Sequence, residues 1–262
     1  GCPWRCAFCI DWQNEKFRSM SGKRILNEIL NLSHSYKIKH IRFCDKTING
    51  NIKALDEFCD LFLDALNKGL FKGSGEFGWS GDAMIRPEMT KGLLEKMFLA
   101  RFYGIGYGLE SGSEKVIREM GKLFSIPLAE EVIRNTHLAQ IKTSVNIMAG
   151  FPTETIKDFQ ETLDFVKRNR EFIDEIRLTY HGCRVYPESY LDIYSDRFNI
   201  AYPSFEAQNP NPLDSRLNKA SYWMTKDGLN TYDERVRRAE EVCKLVLSLG
   251  IELRVNSRVT RK

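Results

Sequence analysis

The sequence predicts an α/β protein built on a parallel sheet, and three observations carry that reading. Short apolar runs of strand length alternate with longer segments whose apolar residues recur every three to four positions. Successive strand-like runs lie about 30 or more residues apart, the spacing of strand-helix-strand units that put helices outside a parallel sheet. With 262 residues, of which 42% are hydrophobic and 28% charged, the chain can bury a core suited to one large domain or two small ones.

The elements follow in order. Residues 24–36 carry Ile25, Leu26, Ile29 and Leu30 on one side and read as a helix, and residues 38–44 are a short apolar strand. Residues 45–51 are turn chemistry. Ile52, Leu55, Phe58, Cys59, Phe62, Leu63 and Leu66 then recur at helical spacing, which assigns Cys59 to the core. Gly69, Gly73 and Gly75 lead into a strand at 77–79, and Pro87 suits the first turn of a helix that ends near Ala100. Residues 102–109 are a strand, 113–120 and 128–140 helices, 143–149 a strand, 155–168 a helix and 173–180 a fifth strand. From 186 to about 228 the periodicity fails and Pro187, Pro203, Pro210 and Pro212 punctuate a cover segment. Residues 233–249 form an amphipathic helix with Val236, Ala239, Val242, Cys243 and Val246 as its buried stripe and Gly250 as its stop. The expected division is therefore a core over 1–195, an irregular cover over 196–229, and a C-terminal helix and tail over 230–262 that pack on the core.

Chemistry concentrates at the start. Gly1-Cys2-Pro3-Trp4-Arg5-Cys6-Ala7-Phe8-Cys9 sets three cysteines in the spacing Cys-x3-Cys-x2-Cys. Thiolates select zinc or iron-sulfur clusters. A structural zinc site wants four protein ligands, and Cys44, Cys59, Cys183 and Cys243 form no second metal-binding pair. A zinc module that borrows a ligand from elsewhere stays open as the alternative. Seven cysteines without a secretory signal argue against a disulfide framework and for a reducing, cytoplasmic compartment. No apolar run reaches the length of a membrane span, and a net charge of +4 gives no argument for nucleic acid.

This loop, with the aromatic Phe8 just before the last cysteine, resembles the radical S-adenosylmethionine (SAM) enzymes. The resemblance implies a partial (β/α)6 TIM-like barrel whose first strand precedes the cysteine loop. That strand is expected to lie before Gly1, the chain being read as part of a longer parent. It implies a 4Fe-4S cluster on Cys2, Cys6 and Cys9 with one iron open to the amino and carboxylate groups of SAM. An electron from the cluster then cleaves the sulfonium and a 5'-deoxyadenosyl radical results. An electron donor such as flavodoxin or ferredoxin and a small-molecule or peptide substrate follow from the same resemblance. The Gly-Cys-Pro-Trp-Arg wording is similar to the branch that carries an N-terminal cobalamin-binding domain. If the parent carries cobalamin, the expected reaction is methyl transfer to an unactivated centre. Other hydrogen-abstraction chemistry is the alternative, and methylthio transfer ranks lower for want of the RNA-binding barrel of that branch.

Two further segments extend the resemblance. Residues 102–114 end in Gly-Leu-Glu-Ser-Gly-Ser, where Glu110 and Ser111 would face the ribose or amino group of SAM. Residues 146–154 are similar to the family's fifth-strand motif, in which Gly150 lets the backbone approach adenine and Asn146 is placed for a hydrogen bond to SAM. Asp45, four positions before Asn49, stands where many members keep a Gly-Gly-Glu; it is a candidate for SAM or substrate contact. Lys122 reads as a solvated surface lysine, with a pairing to the SAM carboxylate as the alternative. Barrel chemistry sits at the carboxyl ends of strands. Trp79, Asp82, Arg86, His181, Cys183, Arg184 and Tyr186 are therefore expected at the open mouth, and Asp45, His181 and Cys183 are the candidates for catalysis.

Overall fold

The computed structural model describes residues 1–11, 16–36, 38–71, 77–203 and 220–255. Among them, one sheet holds six strands: β1 (His40–Arg42), β2 (Gly78–Ala83), β3 (Phe102–Glu110), β4 (Lys142–Ile147), β5 (Glu175–Leu178) and β8 (Glu252–Val255), all parallel and paired in that order. The helices are α1 (Gly22–Tyr36), which precedes β1, and between the strands α2 (Ile52–Asn67), α3 (Lys91–Leu99), α4 (Glu114–Glu119), α5 (Ile126–Leu138) and α6 (Ile156–Arg168). Beyond β5 come a short α7 (Tyr190–Ile193), an antiparallel pair of β6 (Ile200–Ala201) with β7 (Met224–Thr225), and α8 (Tyr232–Ser248).

Side-chain oxygens set the helix starts. Asn51, Thr90, Ser125, Thr155, Ser189 and Thr231 each accept a backbone N–H from the first turn, and Thr155 with Asp158 completes a capping box. This corrects the expected start of α3. Its cap is Thr90, so Pro87 lies in the turn before the helix.

Alternation along the strands sends Ile41, Trp79, Ile105, Tyr107, Val145, Ile147, Ile176 and Leu178 against the helices, where they join one apolar core. Cys59 belongs to that core, as expected, and burial pushes its thiol up to about 12. Trp79 belongs there too, fully buried with its indole N–H on the Ala100 carbonyl at 2.7 Å. The expectation of Trp79 at the mouth fails because odd positions of β2 face the helices.

The opposite face is polar and concave. Arg177 on β5 reaches Asp82 on β2 at 2.9 Å, Asp82 also takes Arg42 of β1 at 2.8 Å, and Arg177 holds Glu175 and Ser144. On a flat sheet β2 and β5 would lie about 14 Å apart, a gap that two side chains standing perpendicular could not close. Curling of the sheet closes it. The space is supplied by Gly104, Gly106 and Gly108, which leave this face of β3 bare, and a Cβ at Gly106 would meet Asp82 Oδ1 at 2.2 Å and Arg177 Nη1 at 2.5 Å.

The sixth strand is a correction. The expected tail beyond α8 is β8, which pairs in register with β5 from Glu175–Glu252 to Leu178–Val255. Residues 204–219, including Pro210 and Pro212 of the expected cover, and residues 256–262 of the tail lie outside the described residues.

Gly106→Ala is expected to break the Asp82–Arg177 bridge and to cost about 1–3 kcal/mol, read as a lower midpoint in urea unfolding. Gly104→Ala, whose Cβ would meet nothing nearer than 3.7 Å, is the control and should cost less. Equal losses would refute the overpacking account.

Candidate cofactor site at the strand ends

The cysteine loop is held by its backbone. The Ala7 N–H donates to the Met120 carbonyl at 2.9 Å, the Ala7 carbonyl accepts the Leu191 N–H at 3.0 Å, and the Cys9 N–H closes a turn on the Cys6 carbonyl at 3.0 Å. The loop is thus pinned between the end of α4 and the start of α7. Cys6 is buried, Cys2 and Cys9 are half-buried, and all three are free thiols. Burial raises the Cys6 thiol against the pull of Lys122, and burial pushes Cys9 up to about 11. Among the described residues no three His, Cys, Asp or Glu side chains surround a single-ion site. Soft thiolate ligands of this kind select zinc or iron-sulfur clusters.

Behind the loop lies a buried ion pair. Lys122 Nζ donates to the Gly108 carbonyl at 2.7 Å, stands 3.8 Å from Glu110 Oε1 and lies 5.7 Å from the centre of the Phe8 ring. Its side chain is only 2% exposed, so the surface reading of Lys122 is wrong. The reason is local: Gly121, with φ of +76°, turns the chain back under the cysteine loop after α4. Glu110 has φ of +73°, a strained conformation for a residue with a side chain, and burial raises its carboxyl against the pull of Lys122. A bulge between Gly108 and Glu110 accompanies this geometry, and the Glu110 carbonyl takes the Met148 N–H at 2.9 Å.

The remaining candidates separate. Asn146 sits half-buried on the concave face of β4, beside Gly108. Ser111 is fully buried, with its hydroxyl bonded to that of Thr162 of α6 and accepting the Ser113 N–H. Gly150 is left-handed, with φ of +74°, but the position its Cβ would take is filled by the stem of Arg235, 2.3 Å away. Packing against Arg235 and the positive φ therefore require the glycine, whatever approaches its other side. Asp45 is exposed on the rim of a cavity of about 400 Å³ beside β1, lined by Ile25, Ile29, Ile41, Phe43 and Phe58. Its neighbour Lys46 pairs with Asp11, which accepts the Cys9 thiol at 3.5 Å. Asn49 is a buried strut that exchanges hydrogen bonds with the backbone of Met84.

Of the residues after β5, His181 stacks on Tyr232 and bonds its hydroxyl at 2.8 Å, and burial lowers its pKa. Cys183 is fully buried beside Phe151 and Trp223, and burial pushes its thiol up to about 12; it is a packed neutral thiol. Arg184 lies 3.4 Å from the Tyr186 hydroxyl. Asp82 serves the concave ion network, and Arg86 binds the Asn49 carbonyl and lies over the Trp4 ring.

Arg235 and Arg238 escaped sequence reasoning. Both lie buried on α8, where an amphipathic reading places charge outside. Arg238 pairs with the buried Glu154 at 2.8 Å, and Arg235 stacks on Trp223 at 4.0 Å. Their spacing relative to Ala239 and Val242 puts them on the apolar stripe, and that was the signal available.

A model of the Radical SAM superfamily matches residues 1–166. The chain belongs to that superfamily. An uncharacterized methyltransferase from Pyrococcus horikoshii is 24% identical over 170 residues, 64% of this chain and 35% of its own length. A ribosomal protein uS12 methylthiotransferase from Thermosipho melanesiensis is 32% identical over 72% of this chain and 43% of its own length. A tRNA-2-methylthio-N(6)-dimethylallyladenosine synthase from Clostridium beijerinckii is 25% identical over 81% of this chain and 44% of its own length. The chain thus spans less than half the length of these relatives. The radical SAM methyltransferase TsrM from Kitasatospora setae, solved with cobalamin and a 4Fe-4S cluster, superposes with a TM-score of 0.65 at 15% identity over 74% of this chain and 37% of its own. Coproporphyrinogen III oxidase from Escherichia coli gives 0.63 at 13% identity over 95% of this chain and 51% of its own. At these identities the likeness is one of fold, and the partial TIM-like barrel is shared.

Lys122→Met should destabilise the protein by about 3 kcal/mol at pH 8, because Glu110 then keeps a buried charge without its cation. Burial raises the Glu110 carboxyl in the folded state, so this loss should shrink as pH falls and the carboxyl takes up a proton. Denaturation at several pH values checks it; a loss independent of pH would show that packing alone is lost.

Proposed function

We propose that this chain is the core of an enzyme that binds a 4Fe-4S cluster through Cys2, Cys6 and Cys9 and uses it to cleave SAM for transfer of a methyl or related group. The observation that carries the reading is the three-cysteine loop, pinned beside the buried Glu110–Lys122 pair. When bound, the cluster supplies an electron to the sulfonium of SAM at its open iron. In this reading Glu110 accepts hydrogen bonds from SAM, Lys122 neutralises Glu110 and backs the loop, Phe8 packs at the cluster, Asn146 offers an amide from the concave face, and the Gly150 turn borders the adenine. The concave polar face receives the substrate, a small molecule or peptide. The core is taken over 1–195, with 196–229 as cover and 230–262 as a C-terminal helix and tail on the core, in a cytoplasmic protein reduced by a flavodoxin or ferredoxin. Among the described residues no helix is long and apolar enough to cross a membrane.

Likeness to TsrM supports methyl transfer with cobalamin held by another part of a longer chain. Methylthio transfer is the second reading, favoured by the sequence relatives. Because the chain spans less than half of them, the want of an RNA-binding barrel carries no weight against it. Corrinoid that co-purifies with the parent protein would favour the first.

Anaerobic reconstitution should give a brown protein with about four irons and four sulfides per chain, and Cys→Ala at Cys2, Cys6 or Cys9 should abolish it. Stoichiometric zinc without sulfide would end this reading. Glu110→Gln should keep its iron yet bind SAM at least tenfold more weakly by calorimetry, and unchanged affinity would remove Glu110 from the pocket.

A further inference from the structure

The turn of residues 150–154 satisfies part of its own backbone, with the Glu154 N–H on the Phe151 carbonyl at 2.8 Å, and a distant part of the chain adds further bonds. The Gly150 N–H donates to Glu154 Oε2 at 2.7 Å. The carbonyls of Gly150 and Phe151 both accept from Asn230 Nδ2, at 3.2 and 3.0 Å. Arg238 Nη1 donates to Glu154 Oε2 at 2.8 Å and to the Glu154 carbonyl at 3.3 Å. Arg235 supplies the floor. Its stem fills the positions that a Cβ at Gly150 or Gly182 would take, and its head binds the carbonyls of Ser221, Trp223 and Asn230. All of these groups are buried.

This device acts on one place. The turn follows β4 directly, and the same stretch is tied to Glu110 through the Met148 N–H. A change in the turn therefore reaches both the backbone at Gly150 and the strained Glu110. The backbone of the cysteine loop is held elsewhere, at Ala7, by Met120 and Leu191. Loss of the clamp should thus separate SAM binding from cluster loading.

We infer that Asn230 and Arg238 are positioning residues for SAM, which fix the Gly150 turn from the C-terminal side of the chain. The inference rests on the reading of Gly150 as a border of the SAM pocket. Asn230 acts through two carbonyls, and Arg238 acts through Glu154. Neither needs to touch the ligand.

The test compares the unaltered protein with Asn230→Ala, Arg238→Met and Arg238→Lys, all reconstituted anaerobically. Iron and sulfide content, circular dichroism and the SAM dissociation constant by calorimetry are measured on each. Asn230→Ala and Arg238→Met should keep their iron and bind SAM about tenfold more weakly, a change of about 1.4 kcal/mol. Arg238→Lys, which keeps a cation opposite Glu154, should recover most of the affinity, a rescue that a loss of general packing would not predict. If Arg238→Met fails to fold, Asn230→Ala decides, since it removes only one amide. Affinity within twofold of the unaltered protein, with iron retained, would overturn the positioning role. Absence of SAM binding by the unaltered, cluster-loaded protein would instead overturn the reading of the pocket, and the inference with it.

Discussion

The bridge from Arg177 to Asp82 across the bare face of β3 is the constraint on which the architecture depends. Two strands lie between the partners, so their contact exists only while the sheet is curled, and Gly106 leaves the space in which they meet. From this follow a concave face lined by polar groups and a convex face that packs helices. Asp82 draws Arg42 in as well, and Arg177 draws in Glu175, so five of the six strands lie within the span of one charged network. Such networks contribute little net stability when exposed. Its effect is on shape.

The same logic, tight backbone first and charge second, governs the strand ends. Glu110 stands at a left-handed backbone angle, behind a bulge, where desolvation would neutralise a lone carboxylate. Lys122 answers it from the far side of a glycine turn that also carries the cysteine loop. Strain and a buried charge thus share one small region, the arrangement expected where a site is held ready for a ligand.

Much of the barrel was legible in the sequence because apolar periodicity is a direct record of which side of an element is buried. Five strands and their helices were placed to within a few residues. β8 was missed because four residues alternating Glu252-Leu253-Arg254-Val255 at a sheet edge leave only two apolar positions to read. Trp79 was misplaced because an aromatic near a strand end says nothing about which face it takes. The cysteine loop was legible from spacing alone, whereas Lys122, Arg235 and Arg238 were not. A buried cation looks like a surface cation until its partner is known, and the partners Glu110 and Glu154 are distant in sequence from at least one of them.

The sequence separation within the clamp on Gly150 has a consequence for biosynthesis. Asn230 follows Gly150 by 80 residues and Arg238 follows Glu154 by 84. At about 5–20 residues per second, the ribosome needs roughly 4–16 s to supply the second half of that contact after the first has been made. The groups that anchor the cysteine loop, at Met120 and Leu191, leave the ribosome before Asn230 does. The groups that anchor the cysteine loop are therefore available to the chain before those that clamp the turn at Gly150.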